Sequence, residues 1–357
     1  MKPLRIGYAP YRRDLSAPGD RRRFVHYARR RGLSLEVYSD GAPYDLLVVS
    51  EAADISALAR LPKGGPRIIF DFIDSYLDID PREPKALLRG PAKFLLGQHR
   101  HFDLSYHDLL RRMCARADVV VCSTPEQKAK IASINPAVFP ILDFHEGELR
   151  RTKTEFAAGS PFNLLWEGMG ANVVAFEEIA GVLRGLSLCH PIALHLVTDL
   201  SYARFNGPVP RLPTRRAVDC LLPGVRSYLY EWNQPLFADI CCACDLAVIP
   251  ILRRVPIFDA KPENRLLLMW RMNIPTVTSA SPAYARAMRA AGLAMACDGE
   301  ESWHAMLSRC IESESLRREA ARAGKAFVEL EHSEEQGLAR WDEALSAAGL
   351  FVQGAAG

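Results

Sequence analysis

Twelve short apolar runs, each of strand length and most set apart by helix-length sequence, constrain this chain more than any other feature. "RIGYAP", "LSLEVYS", "YDLLVVS", "PRIIFDFID", "ADVVVCS" and "AVFPILD" fill the first half, and "FNLLWEG", "IALHLVTD", "RSYLYEW", "DLAVIPI", "PTVTSA" and "LAMACD" fill the second. Runs that are apolar at nearly every position suit strands buried on both faces, and strands alternating with helices specify parallel sheets with crossover connections. Between the two series, 146–161 ("EGELRRTKTEFAAGSP") breaks the rhythm with charge, Gly, Ser and Pro, as a linker does. From Glu301 onward the pattern turns helical. The expectation is an α/β chain of two doubly wound, Rossmann-like parallel-sheet domains facing a central cleft. The first covers 1–150, the second 151–333, and a C-terminal helix in 334–357 crosses back to the first. Ligands in such sheets sit beyond the carboxyl ends of the strands.

At 357 residues with 49% hydrophobic and 24% charged content, the chain is too long for one typical core and too apolar for disorder. No run approaches the roughly 20 apolar residues of a membrane span, and no charged-then-apolar leader opens the sequence, so a cytoplasmic protein is expected. The net charge of +3 is unevenly shared: 1–155 holds 26 Lys+Arg against 20 Asp+Glu, 26 − 20 = +6, which leaves −3 for the rest. A small net charge without a recognisable binding module argues against nucleic acid. The nine cysteines lack paired metal spacing, and Cys241, Cys242 and Cys244 have the apolar neighbours of buried structural thiols. His99, His101 and His107 read as solvated helix-surface residues, and no HExxH pattern occurs, so no metal is expected. No GxGxxG follows any strand, so no nicotinamide cofactor is expected either.

One helix start carries chemistry. In "AKPENRLLLMW", Lys261 adds a cation where unpaired N–H groups already create positive potential, and Pro262 fits the first helical position. A diphosphate would neutralise that excess. A solvated lysine beside an ordinary helix is the alternative.

The second half resembles the nucleotide-binding domain of the GT-B glycosyltransferases, specifically the large retaining group called family four. "LLWEGMGANVVAFEEIAGVLRGL", "YLYEWN", "CDLAVIPI", "KPENRLLLMWRMNIPTVTSASPAY" and "EESWHAML" follow the family's order, while "APGDRRRF", "FDFIDSYLD" and "ADVVVCSTPEQ" extend the likeness into the first half. The resemblance implies a sugar transferase that uses a nucleotide-sugar as co-substrate, retains anomeric configuration and needs no metal or cofactor. Its acceptor would be a glycan or lipid-linked molecule in bacterial cell-surface polysaccharide or lipopolysaccharide assembly. It also implies that Lys261 meets phosphate and takes part in catalysis, that Glu263 and Asn264 meet sugar hydroxyls or a pyrophosphate oxygen, and that the strand ends at Thr198, Asp199, Tyr230, Glu231 and Trp232 hold the base. Two family glutamates are replaced by Ala260 and Leu268, which admits a catalytically degenerate binding subunit; a sugar-nucleotide epimerase is a further use of the architecture. The usual Arg and Lys after the first donor-domain strand are missing, so either Lys261 carries more of that charge or a cation elsewhere, Arg253, Arg254 or Arg265, supplies it.

Further candidates come from the residues themselves. Gly168 and Gly170 would let backbone approach a phosphate, with Asn172 capping the next helix; a tight turn without ligand explains the same residues. Gly19 makes a turn, Asp20 is placed to cap a helix beginning at Arg21, and Arg21, Arg22 and Arg23 in its first turn favour an anionic acceptor group or form a solvated basic face. Asp71 would contact the acceptor, and Asp74 and His145 are candidates to orient or deprotonate its hydroxyl. Finally, 82–116 is basic with interleaved Leu and Phe, as a surface resting on the anionic inner face of the cytoplasmic membrane would be; a solvated outer face of the domain, interrupted at Gly90-Pro91, is the alternative.

Overall fold

The computed structural model describes residues 4–203 and 211–350. The chain divides into two compact units, one holding the described residues up to Phe144 together with those from Glu334, the other His145–Ser333. The boundary thus falls a few residues before the linker composition suggested.

All twelve apolar runs form strands. In the first unit these are β1 (Ile6–Ala9), β2 (Leu35–Val37), β3 (Leu46–Ser50), β4 (Arg67–Asp71), β5 (Val119–Cys122) and β6 (Val138–Pro140), with helices α1 (Pro18–Arg21), α2 (Phe24–Arg30), α3 (Ile55–Leu58), α4 (Pro84–Leu95), α5 (Tyr106–Arg116) and α6 (Pro125–Ile131). Every pairing is parallel and the order is β2-β1-β3-β4-β5-β6. Alternate residues enter different cores. Leu47, Val49, Val120 and Cys122 pack with Ile55, Leu58, Leu109 and Met113 of α3 and α5. Leu46, Val48, Val119 and Val121 pack with Phe24 and Tyr27 of α2 and with Leu338, Trp341 and Leu345 near the end of the chain. Two buried faces are why these strands read as unbroken apolar runs.

The second unit holds β7 (Phe162–Glu167), α7 (Ala180–Cys189), β8 (Ile192–Thr198), a short pair β9 (Ser201–Tyr202) and β10 (Leu212–Pro213), α8 (Thr214–Leu221), β11 (Ser227–Glu231), α9 (Gln234–Ala243), β12 (Leu246–Ile249), α10 (Pro256–Asp259), α11 (Asn264–Arg271), β13 (Thr276–Ser279), α12 (Pro282–Ala290), β14 (Ala296–Cys297), α13 (Gly299–Glu312) and α14 (Glu314–Glu331). Its main sheet has the order β11-β8-β7-β12-β13-β14. Cys241, Cys242 and Cys244 are buried in its core, where burial pushes the last two thiols up to about 11 and about 12. The final helix, α15 (Glu334–Ala347), belongs to the first unit, tied to α2 by Tyr27 Oη donating to Asp342 (2.8 Å) and by His26 against Glu334 (2.7 Å).

Several local expectations fail for reasons of packing. No helix begins at Arg21. Asp20 is buried inside the four-residue α1 and accepts from Tyr8 Oη (2.9 Å), Tyr11 N (2.9 Å) and Arg12 N (3.0 Å), so its carboxylate fastens the β1 loop instead of capping. Pro262 precedes the helix, because α11 starts at Asn264 with Glu263 in the capping position. Asn172 caps nothing: 170–178 winds as a nine-residue 3₁₀ segment, unusually long for that geometry. His99 is not solvated; it is buried, stacked on Tyr106, and burial lowers it to about 4.

Candidate functional site

In a doubly wound sheet, the crevice for a ligand opens where successive crossovers leave in opposite directions. The strand order puts that point between β7 and β12 in the second unit, and between β1 and β3 in the first.

At the second unit's switch point, one small cleft is lined by Asn172 and Ala175 after β7, by Pro250, Ile251 and Leu252 after β12, and by Phe258, Lys261 and Arg265. The fold therefore brings Lys261 and Asn172 together although 89 positions separate them in sequence, 261 − 172 = 89. Lys261 is half-buried, with Nζ 5.7 Å from the Phe258 ring centroid. Arg265 Nη1 donates to the Glu167 carbonyl (3.0 Å). A Cβ at Gly168 would stand 3.2 Å from Arg265 Nη1 and 2.9 Å from Trp166, so glycine there keeps the turn against the guanidinium. Of the three arginines named for the missing charge, Arg253 is paired with Asp259 and Asp298, and Arg254 with Glu177 and Glu178. Among the described residues no carboxylate is paired with Arg265, which contacts the Glu167 carbonyl and Tyr284. The cleft therefore holds two cations and one amide.

Other donor-side candidates are placed differently. Glu263 is buried and bonded to Arg286 Nη1 (3.0 Å), while Asn264 begins α11 half-buried. Gly170 is needed for packing: a Cβ would meet Thr214 Oγ1 at 2.6 Å, and its N–H donates to Asp199 Oδ2 (3.2 Å). Thr198 is buried, and opposite Glu231 in the β8–β11 register. Tyr230 spends its hydroxyl on His195 Nδ1 (3.0 Å), within the sheet face. Trp232 packs partly into the core beside Phe237 (5.9 Å).

At the first unit's switch point lies a larger cavity, about 470 Å³, lined by Ala9 at the end of β1, Tyr11 and Arg13 after it, Tyr38 and Asp40 after β2, Asp54 after β3, and Arg100. Asp40 accepts from Tyr38 Oη (2.7 Å) and pairs with Arg100. Carboxylates, guanidinium groups and tyrosine rings around one void suit a polyol, whose hydroxyls accept and donate and whose C–H faces stack on rings. Behind it, Glu51 is buried, accepts from Asp74 N (2.9 Å), and is held well above the ordinary carboxyl range by burial and then by the charge of Asp74. The buried hydroxyl of Tyr11 shares this neighbourhood with Glu51, Asp71 and Asp74.

Sequence reasoning placed Arg23 and Asp71 toward an acceptor, and the structure turns both inward. Arg23 Nε and Nη2 donate to Asp71 (2.8 and 2.6 Å), and Nη1 to the Ile141 carbonyl (2.8 Å) and Asp143 (3.2 Å). Burial pulls the guanidinium down, yet the Asp71 charge and hydrogen bonds outweigh it and the group is held above its usual value. Gly19 packs under the Tyr11 ring, Arg22 is buried, and Arg21 is half-buried in α1. His145 is buried with Nδ1 against Arg271 Nη1, and the other terminal nitrogen of Arg271 donates to the His332 carbonyl. Tyr11, Arg13, Tyr38, Asp40, Glu51, Asp54 and Arg100 were missed because only strand order shows which loops flank a switch point.

No family model matches the sequence, and no curated protein matches it. Solved structures do match. HepE from Anabaena, in complex with UDP and glucose, superposes with a TM-score of 0.63 at 11% identity, over 96% of this chain and 100% of that one. The fold is GT-B. WaaG, a glycosyltransferase involved in lipopolysaccharide biosynthesis, superposes at 0.55 with 14% identity, over 96% and 100% of the two chains. TarM from S. aureus gives 0.57 at 7% identity over 84% of this chain, which spans just 55% of TarM's length. In GT-B terms, the Lys261 cleft lies in the C-terminal Rossmann-like unit and the 470 Å³ cavity in the N-terminal one.

Proposed function

We propose that this chain is a nucleotide-sugar-dependent glycosyltransferase, with the donor diphosphate held at the switch point of the second unit and a glycan or lipid-linked acceptor at that of the first. The observation that carries the reading is the convergence of Lys261, Arg265 and Asn172 on one cleft beyond β7 and β12. Two fixed cations at a strand-end crevice are what a departing nucleoside diphosphate requires, since charge on the leaving group grows as the glycosidic bond breaks. In this reading transfer retains anomeric configuration without a metal or other cofactor, and serves cell-surface polysaccharide or lipopolysaccharide assembly at the cytoplasmic face of the membrane. The GT-B neighbours solved with UDP and glucose support the donor class.

Calorimetric titration with UDP, GDP and CDP tests it. Lys261→Ala and Arg265→Ala should each weaken the preferred diphosphate about ten- to a hundredfold, the worth of one charge-assisted hydrogen bond. Unchanged affinity in both variants contradicts the phosphate role.

One observation favours a second reading, a binding subunit without turnover. Ala260 and Leu268 stand where the family carries glutamates, Leu268 is in the core, and the carboxylate of Glu263 is bound to Arg286, so it does not replace them. Tight diphosphate binding with no sugar transferred to any acceptor tried would decide for that subunit.

A further inference from the structure

An amphipathic helix on a water-facing domain turns its apolar stripe to the core, and α4 does the reverse. Its inward side carries Arg89, whose guanidinium lies 3.9 Å from the Tyr76 ring centroid and 5.0 Å from that of Tyr106, and Lys93, whose amine lies 5.2 Å from the latter. Gly90 seats the helix on the loop before α5: a Cβ there would stand 2.3 Å from the Asp103 carbonyl. The outward side carries Leu88 and Leu95, two helical turns apart and 67% and 81% exposed, flanked by Leu87 and Leu96. The ridge continues into the loop, where Phe102 packs edge-on to Phe94 (5.6 Å) and Leu104 is 70% exposed. So many large apolar side chains in contiguous exposure mark a covered surface.

Charge identifies the cover. Within 82–116 there are 8 Lys+Arg and 3 Asp+Glu, of which Arg100 and Arg116 pair with Asp40 and Asp118 outside the segment while Arg89 and Lys93 face inward. Arg82 and Arg111 are exposed and form no ion pair among the described residues. A second copy would set the exposed Arg82 and Arg111 against the same cations, whereas an anionic bilayer offers hydrocarbon for the leucines and headgroups for the cations.

We propose that the ridge of α4 and the following loop inserts shallowly into an anionic lipid monolayer, anchoring the first unit to a membrane by its leucines. Electrostatics of the whole basic segment was the expectation from sequence; the structure moves the anchor to apolar side chains, because Arg89 and Lys93 are turned inward.

The test is co-sedimentation of the full chain with phosphatidylglycerol-containing vesicles, comparing wild type with Leu88→Gln/Leu95→Gln. Both leucines are exposed, so folding should be unaffected and melting superimposable. Partition should fall at least about tenfold in the variant, as expected when two leucine side chains lose their apolar burial. Much of wild-type binding should survive high salt. Equal sedimentation of the two proteins, or binding abolished by salt alone, overturns insertion; a dimer in light scattering that the variant dissolves assigns the ridge to a second copy and overturns it too. Diphosphate titration of the same samples keeps the result separate from the transferase reading.

Discussion

Arg23→Leu is the perturbation that most sharply separates a structural role from a substrate-binding one. Arg23 has no exposed surface and neutralises two carboxylates, Asp71 at 2.6 Å and Asp143 at 3.2 Å, in the core beside β4. Removing it strips Asp71 and the Ile141 carbonyl of this donor, while Asp143 keeps the nearby charge of Arg22. Breaking a buried pair from one side costs about 3–5 kcal/mol, mostly the penalty of the stranded charge. In a unit of this size each kcal/mol moves the midpoint by about 2–4 °C, so the first unit should melt about 6–20 °C lower. Arg23→Leu/Asp71→Leu should recover part of that loss, because the cycle removes the orphaned charge along with its partner. Differential scanning calorimetry of the full chain measures both, and diphosphate titration reports whether the second unit is intact. A midpoint within about 2 °C of wild type, with acceptor affinity lost, would falsify the structural assignment and restore the arginine to the acceptor site.

Glu51→Gln should be neutral to stability near pH 5 and stabilising near pH 8. The folded state holds the Glu51 proton to higher pH than the unfolded chain does, so wild-type stability is full below the unfolded value and falls as pH rises toward the folded one; parallel melting curves across that range refute it. Gly324→Ala should destabilise the second unit by about 1–3 kcal/mol, since the new methyl would stand 2.4 Å from the Trp270 ring, with the measurement being urea midpoints. Gly185→Ala, in α7 with open space around it, should instead gain about 0.5–1 kcal/mol, and the opposite signs of the two alanines are the check.

The strands were legible because their signal is local. A run such as "DLLVVS" must bury both faces wherever it sits, and each of the twelve runs formed a strand in a parallel sheet. Helix register was less so, because capping competes with distant partners. Asp20 reads as a cap, but Tyr8 and the backbone of Tyr11 and Arg12 claim its carboxylate.

What the sequence determined by itself, then, was the succession of buried strands and crossover helices, and the positive start of the segment holding Lys261. Tertiary structure decided the partner of each charge: Arg265 met a carbonyl and Tyr284 while Arg253 and Arg254 were paired with carboxylates, Arg23 was drawn inward to Asp71 across 48 positions, and α4 presented its leucines outward. Periodicity along a chain reports how much of a segment is buried. Which face turns inward, and which cation finds a carboxylate, depends on residues that only strand order brings near.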